Sequence, residues 1–269
     1  EASGTRNVAI GHASLEDSNG GNYNTAVGYG TLRDNTTADS NTAFGYQALN
    51  LNTTGSNNTA VGYEALEVNS TGTVNAAFGR LALTSNTTGG SNTACGQGAL
   101  ENNTTADNNA AVGTNSLQAN VTGTGNVAVG SHALQDNTTS FNTAVGYNAA
   151  KDTTSGLANV AVGTSALVSN TTGSNNTAIG LDTLQTSTTA SSNTAIGRDS
   201  MKSNTTGTTN TAVGYVTLDS NTTGSSNVAV GYDALGDSDT AINNTAIGVN
   251  SGLGISSGSS NVVVGYNAG

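Results

Sequence analysis

Small, apolar and polar positions along this chain follow one order that returns every 17 residues: N-T-A-V-G-Y-x-A-L-x-x-N-T-T-G-x-x, as in residues 58–74. A marker glycine stands at 11, 28, 45, 62, 79, 96, 113, 130, 146, 163, 180, 197, 214, 231, 248 and 265; fourteen of the fifteen intervals are 17 residues, and Gly130 to Gly146 is 16. One before it is always a Val, Ile, Phe or Cys, two before it an Ala in fifteen copies, and four after it a Leu in twelve. A period this regular predicts a stacked, quasi-one-dimensional architecture.

Helix is excluded by the residues themselves. Asn, Gly, Thr and Val are mediocre or poor helix formers, and no apolar stripe at three- and four-residue spacing persists. Short Thr/Val/Ala runs bounded by Gly and Asn clusters read as strands and turns. We expect an all-β chain: a parallel β-roll or β-solenoid of about sixteen 17-residue coils, each with two strands of about four to five residues. Residues 1–269 form a single continuous array, and coils paired at about 4.8 Å would make a rod about 70 Å long. The array starts and stops inside the repeat, so we expect a segment of a longer protein, its ends capped by neighbouring sequence or by abutting rods.

Strand alternation sets Ala60 on one side and Thr59 and Val61 on the other. Both columns are small or apolar, so both faces of the strand are expected to be covered. Alone, a chain burying Ala against Leu would leave a ladder of sixteen Val, Ile, Phe and Cys side chains in water, which monomers rarely tolerate. The simplest remedy is a symmetry axis along the Val column. We therefore read the chain as one protomer of a homo-oligomer, a homotrimer, with itself as principal partner.

The asparagine four before each marker, including Asn24, Asn41, Asn58, Asn75, Asn92, Asn109 and Asn126, is read as a structural ladder of amides bonded from coil to coil. A second asparagine opens the N-T-T turn. It creates possible N-glycosylation sequons at Asn35, Asn52, Asn69, Asn86, Asn103, Asn120, Asn137, Asn170, Asn204 and Asn221. Coils about 4.8 Å apart would crowd glycans at every turn.

Composition narrows the function. The 269 residues include no Pro or Trp, three Phe and 9% charged residues, which argues against an ordinary globular core. A net charge of −11 argues against nucleic acid or anionic membranes as partners, and no hydrophobic span suggests membrane insertion. Cys95 occupies a Val slot and is read as a buried small hydrophobe. His12 and His132 have no partners at ligand spacing, and Asp237-Ser-Asp239 lacks the Gly and Glu of a calcium loop. We expect no catalytic residues, no metal site and no cofactor; the chain is read as not an enzyme.

Asn7-Val-Ala-Ile-Gly-His-Ala-Ser14, Asn126-Val-Ala-Val-Gly-Ser-His-Ala133 and Asn227-Val-Ala-Val-Gly-Tyr-Asp-Ala234 resemble the head repeats of trimeric autotransporter adhesins. The N-T-A-V-G-Y-x-A-L-x-x-N-T-T-G array is also similar to shafts of phage tail fibres and bacterial surface fibres. The resemblance implies a left-handed β-roll of three chains around one axis, with both strand faces buried. It also implies an extracellular place, on a cell or virion surface, and adhesion to a host-surface, matrix or glycan receptor. The family's unit is commonly shorter, so the extra residues here are expected to enlarge the N-T-T-G turn. The leading expectation is a structural fibre segment or adhesin rod. The alternatives are an ice-binding β-solenoid, built on the Thr columns, and a glycosylated filament subunit that polymerises end to end.

Overall fold

The computed structural model describes residues 4–269. The chain divides between Thr138 and Thr139 into two compact units, and the 16-residue interval of the sequence spans that division. Each unit is a parallel β-solenoid, so the fold is all-β with about sixteen turns. The first unit carries β1 (Val8–Ile10), β2 (Thr25–Val27), β3 (Thr42–Phe44), β4 (Thr59–Val61), β5 (Ala76–Phe78), β6 (Thr93–Cys95), β7 (Ala110–Val112) and β8 (Val127–Val129). The second carries β9 (Thr143–Val145), β10 (Val160–Val162), β11 (Thr177–Ile179), β12 (Thr194–Ile196), β13 (Thr211–Val213), β14 (Val228–Val230), β15 (Thr245–Ile247) and β16 (Val262–Val264). Within each unit, neighbours in sequence pair in parallel and in register, Ala on Ala: Ala60 lies between Ala43 and Ala77, and Ala195 between Ala178 and Ala212.

Each coil holds one three-residue strand, not the two longer strands expected. The Ala-Leu segment is not a strand, because its residues alternate into the left-handed region: in the fourth coil Glu64 has φ 54° and Leu66 φ 53°. Such geometry turns the backbone while leaving its N–H groups pointed along the stack. In the strand, Thr59 N–H donates forward to Asn75 O at 2.8 Å, and Gly62 N–H donates back to Phe44 O at 2.8 Å. In the turn, Glu64 N–H donates back to Tyr46 O at 2.8 Å, Leu66 N–H forward to Ala82 O at 3.0 Å, and Ser70 N–H forward to Thr87 O at 2.9 Å. The inter-coil ladder thus continues around the coil, and these polar groups need no strand to be satisfied.

A leucine in the left-handed region is disfavoured by about 1–2 kcal/mol. Leu66 is nevertheless fully buried, and burying a leucine stabilises by about 1.5–3 kcal/mol, so burial outweighs the strain. The core of each unit is this Leu column facing the buried Ala of the strand and the Ala, Ser or Thr three after the marker.

The marker glycine admits no side chain. Gly62 has φ +144°, and a Cβ there would lie 2.4 Å from Gly79 O in the next coil. The glycine closing N-T-T-G differs: a Cβ on Gly72 would meet Gly89 O at 2.4 Å, yet its φ is unexceptional, and Ala38, Ala106, Ala190 and Ala241 occupy the same column. Conformation, more than space, makes the marker column invariant.

Candidate functional site

Ala60 and its equivalents from Ala26 to Ala246 face inward with no exposure, so the residues on either side of them face out. Within one chain the strand is therefore covered on one face and open on the other. Of the outward column, Phe44 is 55% exposed, Phe78 43% and Val112 40%, while Val27, Val61, Val162, Val213 and Val230 are half-buried by their neighbours. Cys95 lies in this column and is exposed in the single chain, because its slot points away from the Leu core. Beside it runs the Thr column: Thr25, Thr59, Thr143, Thr177, Thr194, Thr211 and Thr245 are half-buried, and Thr42 and Thr93 exposed. Ala76, Ala110, Val127, Val160, Val228 and Val262 interrupt it.

On the far side of the marker glycine stands a third column, the Tyr position of the repeat unit, to which the sequence alone assigned no role. In the first unit it reads His12, Tyr29, Tyr46, Tyr63, Arg80. The His12–Tyr29, Tyr29–Tyr46 and Tyr46–Tyr63 ring centroids are 5.2, 5.3 and 5.1 Å apart, with interplanar angles of 7°, 9° and 10°. The Arg80 guanidinium lies 5.8 Å from the Tyr63 centroid, a cation–π distance. In the second unit Arg198 covers Tyr215 at 5.7 Å, and Tyr215 and Tyr232 are tilted by 48°. The recurrence of Tyr one residue after the marker was the available signal.

The strand asparagines form a buried ladder. Asn58 Oδ1 accepts the Asn75 N–H at 2.9 Å, and its Nδ2 donates to Gly72 O at 2.8 Å, closing its own coil. The same bonds recur at Asn24, Asn41, Asn75, Asn92 and Asn109; Asn126 donates its N–H to Asn109 Oδ1. The N-T-T asparagines form a second ladder: Asn69 Nδ2 donates to Asn52 Oδ1 at 2.8 Å and to Gly72 O at 3.0 Å. Gly72 O therefore takes one amide from each ladder.

Asn35, Asn52, Asn69, Asn86, Asn103, Asn120, Asn137, Asn170, Asn204 and Asn221 are all fully buried. A glycan on any of these Nδ2 atoms and the folded coil around it exclude one another. The first Thr of N-T-T is also engaged, as Thr53 Oγ1 donates to Ser70 O at 2.9 Å.

Among the described residues no three His, Cys, Asp or Glu side chains cluster as metal ligands, and the surface forms no pocket. No helix of the described residues is long and apolar enough to cross a membrane. The charged groups that interact do so near one another: Lys202 reaches Asp199 at 2.9 Å and Asp182 at 4.0 Å. Burial, and then the neighbouring Asp233, raise the Asp219 carboxyl above its ordinary range; burial, and then Asp237, do the same at Asp233. No protein-family model matches the chain, and no curated protein matches it.

Proposed function

We propose that this chain is a non-catalytic extracellular fibre segment whose copies associate through the outward Val, Ile and Phe column, three around one axis. The observation that carries the reading is the in-register apolar column on the open strand face. A stripe of this kind marks an interaction surface. Identical coils in identical register suit a symmetric partner, since each position of one copy would meet the same position of another. Left-handed winding, and a host-surface, matrix or glycan receptor on the cell or virion exterior, belong to the same proposal and rest on the repeat's resemblance to surface adhesins.

Sedimentation equilibrium beside a denatured mass tests it: three chains per particle are expected, with Val61→Lys and Val112→Lys shifting the particle toward one chain. Oxidised Cys95 should join two of the three chains and leave the third free. A monomer with measurable turnover would overturn the proposal.

One observation favours a second reading. Thr25, Thr42 and Thr59 stand in parallel register on the open face, at the coil spacing of about 4.8 Å, an array that can order water. Ice binding by a single chain predicts thermal hysteresis that Thr42→Lys abolishes; no hysteresis in the wild type removes this reading.

A further inference from the structure

We propose that the tyrosine ladder of the first unit is a site of oxidative modification, at which one-electron oxidants join Tyr29 to Tyr46 or Tyr46 to Tyr63 as intrachain dityrosine. These three rings are between 42% and 50% exposed, so a small oxidant reaches them. They are also held nearly parallel at 5.1 and 5.3 Å by the backbone register beneath, so two radicals in neighbouring coils need little diffusion to meet. This inference does not depend on how copies associate.

In the chemistry, each phenol gives one electron to the oxidant and one proton to a base. The two phenoxyl radicals join through ring carbons ortho to oxygen, and the two displaced ring hydrogens move to the phenolic oxygens. One carbon–carbon bond forms, and the pair loses two electrons and two protons in all. At Tyr63 a base is the next residue in the chain: the Glu64 carboxylate raises the phenol's pKa. The product closes a loop of one coil, in the manner of a disulfide.

Other tyrosines provide the contrast. Tyr266 has Val249 one coil back, so it has no stacked phenol at that position. Tyr23 belongs to a different column, beneath Arg6.

The test uses the full chain, an equal mixture of unlabelled and heavy-nitrogen-labelled molecules, oxidised by photogenerated tris-bipyridyl ruthenium(III) with persulfate. After proteolysis, mass spectrometry should find dityrosine peptides joining Tyr29 to Tyr46 or Tyr46 to Tyr63, with both halves carrying the same isotope. Tyr46→Phe keeps the ring and the stack but should lose both cross-links, and Glu64→Gln should slow the coupling at Tyr63. Mixed-isotope cross-links in place of same-isotope ones, links mapped mainly to Tyr23 or Tyr266, or no loss in Tyr46→Phe would each overturn the proposal.

Discussion

The two units build the same coil, yet their turn ladders differ. In the first, amides run without a break from Asn35 through Asn52, Asn69, Asn86 and Asn103 to Asn120, each donating to the Oδ1 before it at 2.8–3.2 Å. In the second, the column reads Thr153, Asn170, Ser187, Asn204, Asn221, Ser238 and Ile255. Serine is too short to reach back, and Asn170 Oδ1, Asn221 Oδ1 and the Oγ atoms of Ser187 and Ser238 are buried without partners, whereas in the described first-unit column Ser18 Oγ and Asn120 Oδ1 are so only at the two ends of the run. The strand ladder, by contrast, is retained in both units, from Asn24 to Asn126 and from Asn142 to Asn261. The difference lies in what each amide holds. A strand asparagine satisfies a backbone N–H of the next coil and a carbonyl of its own; a turn asparagine accepts from a side chain that can be lost along with it.

The comparison is broken most directly at the strand ladder. Asn58→Ala and Asn193→Ala each orphan a buried N–H of the next coil and remove one of the two amides on a carbonyl of their own coil, and each should cost about 3 kcal/mol in urea unfolding. Costs that differ between the units by more than about 1 kcal/mol would mean that the ladders are not equivalent. Next in size, Asn69→Ser carries the defect of the second unit into the first and should cost about 2 kcal/mol, by leaving Asn52 Oδ1 unpartnered. The reciprocal change, Ser187→Asn, should stabilise the second unit by about 1 kcal/mol and slow its amide hydrogen exchange; faster exchange would show that the site cannot admit the larger side chain. The smallest effect is electrostatic. Because the folded Asp219 and Asp233 carboxyls are raised above the ordinary value of 3.8, the folded chain keeps protons that the unfolded chain has released. Stability should therefore rise as pH falls from neutral toward that value. Asp219→Asn should flatten this slope and add about 0.5 kcal/mol at neutral pH, a figure reduced for solvent screening.

Much of the coil was legible in the sequence. The period set the coil length, and Ala60 and Leu66 were readable as inward because each recurs at one place with one character. The second strand was not present, because a composition of Ala, Leu and Thr says nothing of the sign of φ. Glu64 and Leu66 adopt a geometry that local propensity disfavours, since the coils above and below bond their backbone groups. The open face was legible too: with Ala inward, strand alternation sends Cys95 and the rest of its column outward in a single chain, where it is exposed. The tyrosine position belongs to the repeat unit, but its stacking was not legible, because the column is interrupted by Gln97, Thr114 and Ser131 and recurrence does not give ring orientation.

The ladder that runs around the coil has a consequence for how such a chain changes length. Every coil within a unit offers its neighbours the same donors and acceptors, so excising residues 58–74 would set Asn75 directly after Asn57 and rejoin like with like. Within a unit, deletion or duplication in whole multiples of 17 residues preserves each contact except one copy of it, whereas another number keeps the glycine column only if a turn absorbs the difference, as in the 16-residue step from Gly130 to Gly146. A gene built this way can gain or lose segments by recombination between its own repeats and still encode a foldable product. The number of coils is then a quantity that selection can adjust freely, while the 17-residue step is not.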